Sequence, residues 1–188
     1  MADPAAEVVR TAQAMLARGL VAATQGNVSV RAGDTMWITP SARPYEPMTR
    51  GDVVPVSLAA PAPRADPPPS SEWRVHAAIY RARRDVAAIV HTHSVHATAW
   101  SHLGEDLALF SEDFPAPVRT APYAATGSDG LADAAVEALG PRQAVLLARH
   151  GVVGVAASPG EALDVCTVAE RVAQMAWLLR SGGAAAAR

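Results

Sequence analysis

Apolar residues recur along the chain with two periods, and the switches between them mark out the elements. In residues 5–20, Val8, Val9, Ala12, Met15 and Leu16 fall near i, i+3, i+4 and i+7, which predicts an amphipathic helix stopped at Gly19. Gly26-Asn27 then marks a sharp turn into the alternating run Val28-Ser29-Val30-Arg31, a strand whose hairpin partner is residues 34–39. Residues 52–56 predict another short strand, with Pro55 pointing to an edge or bulge. Five prolines among residues 59–69 read as a surface excursion. Ser70 or Ser71 next offers an N-cap for a helix reaching about Arg83, with Val75, Ala78 and Ile79 as its buried stripe. Residues 85–89 predict a buried strand leading into Val90-His91-Thr92-His93, and residues 97–100 the start of a helix, while residues 104–117 carry no regular pattern. A strand over 118–123, a helix over 128–139 and strands over 144–148 and 151–156 follow. The last helix opens with Ser158 as N-cap, Pro159 at its first position and Glu161 at its third, and runs to about Leu179. Ser181-Gly182-Gly183 and the alanines after it predict a frayed tail over 181–188.

Short strands joined mostly by hairpins, with helices before, between and after them, predict a layered α/β fold on a mainly antiparallel sheet. Crossover helices are too few for a doubly wound parallel sheet. The 188 residues fit one domain, and a half-apolar, 18 % charged composition is that of a globular chain. A net charge near −2 gives no general attraction for nucleic acid or an anionic membrane. The N-terminus lacks a basic leader and no apolar run reaches about 18 residues, so the expected location is cytoplasmic. Cys166 is the only cysteine, which excludes an internal disulfide and a Cys-rich metal site, and its apolar helical setting predicts an inert core thiol.

Candidate chemistry centres on His91-Thr92-His93. Residues two apart on a strand share a face, so both imidazoles project side by side and suit one divalent metal. His150, after an apolar strand and before Gly151, is the candidate third ligand. Surface histidines and a satisfied turn histidine remain the alternative. In Ser70-Ser71-Glu72, hydroxyls and first-turn amides at a helix start form an anion site, or a plain cap. Glu72, facing such a metal, would be a fourth ligand at rest or a general base once displaced. His76 shares its helical face and is read as a packed or hydrogen-bonded histidine rather than a ligand. His93-x-x-His96 is an alternative ligand pair on a helix, and Glu112-Asp113 is an adjacent carboxylate pair in the irregular region. The dinucleotide glycine fingerprint, the P-loop and the Gly-x-Ser-x-Gly turn are all missing.

Taken in order, Thr24-x-Gly26-Asn27-Val28-Ser29-Val30-Arg31, Thr39-Pro40-Ser41, Ser70-Ser71-Glu72, His91-Thr92-His93 and His150-Gly151 resemble the class II aldolase/adducin family. The resemblance implies a three-layer α/β/α sandwich around a largely antiparallel sheet, in a C4 homotetramer with sites at subunit interfaces. It implies one Zn2+ per subunit on His91, His93 and His150, with Glu72 as a further ligand and the acid/base carboxylate; Mn2+ or Co2+ are alternative metals. Thr24, Gly26, Asn27, Ser41, Ala42, Ser70 and Ser71 match the substrate-phosphate site. The implied reaction is cleavage of a ketose 1-phosphate, of the L-fuculose-1-phosphate or deoxypentulose-phosphate type, to dihydroxyacetone phosphate and an aldehyde through an enediolate. No lysine Schiff base is needed, in keeping with a chain whose 16 Lys and Arg residues are all arginine.

The sequence departs from the pattern in places. Ser41-Ala42 replaces the Thr-Gly of an aldolase phosphate loop, and the tyrosine that protonates the leaving aldehyde has no clear match, with only Phe110, Ser111, Glu112 and Phe114 near its place. A C-terminal aromatic tail is replaced by Gly and Ala. Same-scaffold alternatives are an epimerase, which usually carries aspartate at the Glu72 position, a dehydratase, or a decarboxylase using Arg43 or Arg119 for a carboxylate. A non-catalytic adducin-like assembly domain would generally have lost the metal histidines.

Overall fold

The computed structural model describes residues 3–59, 65–108 and 117–186. Helix α1 (Pro4–Ala17) starts where Pro4 fixes the first helical φ and the Asp3 carboxylate accepts the Ala5 and Ala6 amides. Strands β1 (Asn27–Ala32), β2 (Thr35–Ile38) and β3 (Val54–Ser57) form an antiparallel meander. Helix α2 (Trp73–Ala82) leads to β4 (Ala88–Thr92) and the short α3 (Val95–Ser101). After β5 (Arg119–Ala121), helix α4 (Asp129–Leu139) crosses over to β6 (Ala144–Leu147), which turns back into β7 (Gly151–Ala156) and α5 (Pro159–Ala186).

The seven strands lie in the order β3-β2-β1-β4-β7-β6-β5, antiparallel throughout except the β5–β6 pair. Pro55 sits on edge strand β3, where its missing N–H costs no ladder bond. The sheet buries both faces. Val28, Val30, Ala88, Val90, Leu146 and Val152 face α1, α3 and α5, whereas Ile38, Val56, Ile89, Val145 and Val153 face α2 and α4. This is the expected α/β/α sandwich. Cys166 is fully buried against the Val90 carbonyl, and burial pushes its thiol up to about 12. Among the described residues no helix is long and apolar enough to cross a membrane.

Two expected boundaries are corrected. The N-cap of α2 is Glu72, not Ser70 or Ser71. Ser70 donates its amide to the Thr39 carbonyl and Ser41 donates to Pro68, so residues 68–70 are held extended along the Thr39 loop before the helix begins. At the other end, α5 continues through Gly182-Gly183 to Ala186 instead of fraying after Leu179. Alanine is the strongest helix former, and the alanines after Gly183 favour continuing the helix although each glycine costs roughly 1 kcal/mol.

Candidate metal centre and active site

On β4, Ile89 packs toward α2, and alternation puts His91 on that same face. His93 lies one residue past the strand end and His150 in the turn between β6 and β7. Strand pairing of β4 with β7 brings these turns together: the three imidazoles lie edge to face with centroids 4.8, 4.8 and 4.9 Å apart. From the opposite layer, the start of α2 adds Glu72. Its Oε2 is 3.2 Å from His91 Nε2 and its Oε1 is 3.3 Å from His150 Nε2. One ligand atom from each of the four residues lies within 4.8 Å of the others.

The donor set fits a divalent cation. His91 Nδ1 donates to the Val152 carbonyl at 3.0 Å, which leaves its Nε2 lone pair facing the cluster, 2.9 Å from His93 Nε2. Three ring nitrogens and a carboxylate thus converge on one point, and Glu72 Oε1 is buried with no hydrogen-bond donor. Burial opposes charge on Glu72, but His91, then His150 and the Asn27 amide, hold its carboxyl well below the usual range. Burial and the neighbouring His91 lower His93 to about 3, and the same causes lower His150. Burial also opposes the charged form of His91, yet Glu72 beside it raises that pKa. A cation at this point would take the place of that proton.

Two glycines make the approach feasible. A Cβ on Gly151 would stand 2.3 Å from the Thr92 carbonyl oxygen and 3.2 Å from atoms of both the His91 and His93 rings. On Gly26, at φ +74°, a Cβ would meet the His91 carbonyl oxygen at 2.5 Å. Gly26 was a phosphate-site candidate; its visible role is to let the 24–27 turn close onto β4.

The phosphate-site candidates sit in three segments that the fold ties together beside Glu72. Val28 donates to Thr39 Oγ1 and accepts from the Thr39 amide, Ser70 donates to Thr39, and Ser41 donates to Pro68. Asn27 is buried and donates Nδ2 to Glu72 Oε2 at 3.0 Å. Ser70 is buried and accepts the Glu72 amide, whereas Thr24, Ala42 and Ser71 are exposed and Ser41 is partly so. Tyr45 carries no sequence motif: buried after the Ser41-Ala42 loop, its hydroxyl reaches the Gln25 and Gly26 carbonyls and pins the turn that carries Asn27.

Other histidines do not join the cluster. His93 precedes α3 and His96 lies within it, so they do not form a ligand pair on one helix. His96 instead bonds Glu170 of α5 through Nδ1 at 2.7 Å. His76 bonds Asn27 and Ser29, and burial, then His91, lower it to about 3, so its ring is neutral. His102 is exposed at the end of α3. Arg119 is paired with Asp106 at 2.8 Å and Arg43 is exposed. Phe110, Ser111, Glu112, Asp113 and Phe114 lie outside the described residues.

Known proteins give the same ordered picture. An L-fuculose phosphate aldolase of Escherichia coli O6:H1 is 37 % identical over 175 residues, covering 91 % of this chain and 81 % of its own. A 5-deoxy-D-ribulose 1-phosphate aldolase of Bacillus thuringiensis is 37 % identical over 182 residues, covering 94 % and 85 %. A solved L-fuculose 1-phosphate aldolase superposes with a TM-score of 0.92 at 30 % identity, over 97 % of this chain and 89 % of that one. With the sequence pattern of the Class II Aldolase and Adducin N-terminal domain matched across residues 6–177, essentially the whole sandwich and every donor of the cluster, the chain belongs to that family.

Proposed function

We propose that the protein is a zinc-dependent aldolase that cleaves a ketose 1-phosphate, of the L-fuculose-1-phosphate or 5-deoxypentulose-1-phosphate type, to dihydroxyacetone phosphate and an aldehyde. The observation that carries this reading is the convergence of Glu72, His91, His93 and His150 within 4.8 Å, beside three loop segments suited to a phosphate. A divalent ion held by the three imidazoles would supply Lewis-acid stabilisation of the charge that develops on the substrate oxygens. The remaining work falls to the chain. Exposed Ser71, Ala42 and Thr24, with Ser41 and Ser70, hold the phosphate end, and Asn27 and Gly26 shape the turn beneath it. That anchoring orients the sugar against Glu72. In cleavage the C3–C4 bond breaks, its electron pair stays with the phosphate-bearing half, and the C4 hydroxyl gives its proton to solvent water as the aldehyde forms. Glu72 returns a proton to C3 and in condensation removes it.

Support for a catalytic rather than an assembly role is that all four donors are present and converge. Val95, two residues from His93, is apolar and 70 % exposed, as a residue covered by a second copy would be, so a homotetramer with sites at subunit interfaces is part of the proposal. Light scattering measures that mass. The test of the reaction is release of dihydroxyacetone phosphate from a panel of ketose 1-phosphates, with and without chelator and with products weighed by mass spectrometry. Metal-restored release supports it. Release insensitive to chelator, or loss of carbon dioxide or water instead, overturns it.

A further inference from the structure

Helix α2 presents three polar side chains one turn apart, Glu72, His76 and Tyr80, to two residues on one face of β1, Asn27 and Ser29. All five are buried, between 0 and 5 % exposed. They interleave into a single file. Asn27 Nδ2 is 3.0 Å from Glu72 Oε2, and His76 Nε2 is 2.6 Å from Asn27 Oδ1. Ser29 Oγ is 2.7 Å from His76 Nδ1, and the Tyr80 hydroxyl is 2.9 Å from Ser29 Oγ.

The direction of the file is fixed by its members. An ionised carboxylate only accepts, so the Asn27 amide turns its nitrogen to Glu72 and its oxygen away. That oxygen also only accepts, so His76 carries its hydrogen on Nε2. The Nδ1 of the neutral ring then accepts from the Ser29 hydroxyl, and Tyr80 stands behind Ser29. The donors of Asn27, His76 and Ser29 all point toward Glu72, while the Tyr80 hydroxyl also lies 3.1 Å from the Ser29 carbonyl, a second acceptor for its one hydrogen. A histidine kept only for packing has no need of two aligned partners or of a continuous file ending on the site's carboxylate.

We infer that His76 is a positioning residue for the proton transfer of Glu72, acting through the Asn27 amide, with Ser29 setting its ring. The inference rests on the aldolase reading above. Without His76, the buried Asn27 oxygen has no donor, and the amide turns or tilts so that its N–H no longer holds Glu72 Oε2 in one orientation. The three imidazoles are untouched, so the metal stays.

The test uses the zinc-loaded protein and compares His76→Leu, which removes both ring nitrogens, with His76→Gln, which retains a donor and an acceptor. Deuterium exchange into dihydroxyacetone phosphate without aldehyde isolates the Glu72 step. Zinc content, KM and kcat for ketose cleavage complete the readout. In His76→Leu, zinc stays stoichiometric and KM near its original value, while exchange and kcat fall about 10- to 100-fold, the usual effect of losing such a supporting partner. His76→Gln recovers most of both. Should His76→Leu not fold, Ser29→Ala takes its place, with a fall of about 10-fold expected in exchange, the low end of the same range. Folded, zinc-loaded His76→Leu or Ser29→Ala exchanging at the original rate overturns the inference while leaving the aldolase reading intact, as does a Gln variant no better than the Leu one. Absence of exchange by the unsubstituted protein overturns both.

Discussion

The two halves of the candidate site are built by different means. The metal half consists of side chains on the end of β4, the β6–β7 turn and the start of α2, each held so that one atom points at a common centre. The half proposed for phosphate consists of loop backbone and hydroxyls, tied by bonds such as Ser70 to Thr39 and Ser41 to Pro68. In the first half one atom is irreplaceable. In the second, several weak donors share a ligand, and the backbone that presents them does not depend on any one side chain. Substitutions should therefore fall steeply in the first half and gently in the second.

His93→Ala is expected to have the largest effect. It removes one of the three imidazoles proposed as metal ligands, so bound metal drops and dihydroxyacetone phosphate release falls on the order of 1,000-fold, the loss of several kcal/mol of charge stabilisation. Zinc at 100 times its Kd would stabilise the original protein by about 2.7 kcal/mol, and this gain disappears in the variant. Metal analysis and thermal melts with added zinc measure both. Glu72→Gln comes next, at the seam between the halves. Three histidines remain, so the metal is largely retained, while activity falls about 100- to 10,000-fold for loss of the acid/base group. A fully active, metal-loaded Glu72→Gln would remove Glu72 from the proton transfer.

Behind the metal half, the cap of α3 predicts a smaller, pH-dependent effect. Ser94, the N-cap, makes no side-chain cap bond; Glu170 of α5 instead accepts the His96 amide at 3.0 Å and the Ala97 amide at 2.9 Å. Burial opposes charge on Glu170, but these amides and the His96 ring hold its carboxyl below its ordinary 4.5. A carboxylate with a depressed folded pKa stabilises the fold above its unfolded value and loses that contribution as pH falls through the folded one. Glu170→Gln is therefore expected to cost about 1 kcal/mol near neutrality, with the gap closing as pH drops below 4.5. Chemical denaturation at several pH values measures it; a pH-independent gap would assign the effect to packing.

Of the metal half, spacing alone made His91 and His93 a pair and His150 a candidate third ligand, because a strand's period of two does not say which turn lies beside it; the family resemblance implied the full set. Its support was less visible. Gly151 reads only as a turn residue, and nothing local in the sequence says that a Cβ there would press on two imidazoles. The start of α2 was misplaced for a related reason: Ser70 is a good cap by propensity, but Thr39, 31 positions away, holds it extended. Tyr45 likewise depends on a contact between distant segments, and the Asn27–His76–Ser29–Tyr80 file, though its members recur at helical and strand spacing, depends on α2 packing against that face of β1, which no local pattern reveals.

The gentlest change tests the loop half. Ala42 holds φ at +54°, a left-handed conformation that costs an alanine roughly 1–2 kcal/mol and a glycine almost nothing. Its side chain is exposed, so Ala42→Gly removes strain without losing packing. The added freedom of the unfolded chain takes back about 0.4–1 kcal/mol. A net gain of about 0.5 kcal/mol remains, a rise of roughly 1–2 °C in Tm for a chain of this size. Because the backbone already has the conformation a glycine would take, KM for the ketose 1-phosphate should change less than about twofold, well under the ~1.4 kcal/mol of a tenfold change. A marked fall in KM would instead place the Ala42 methyl against the bound phosphate, and one side chain would then matter in the half where none is expected to.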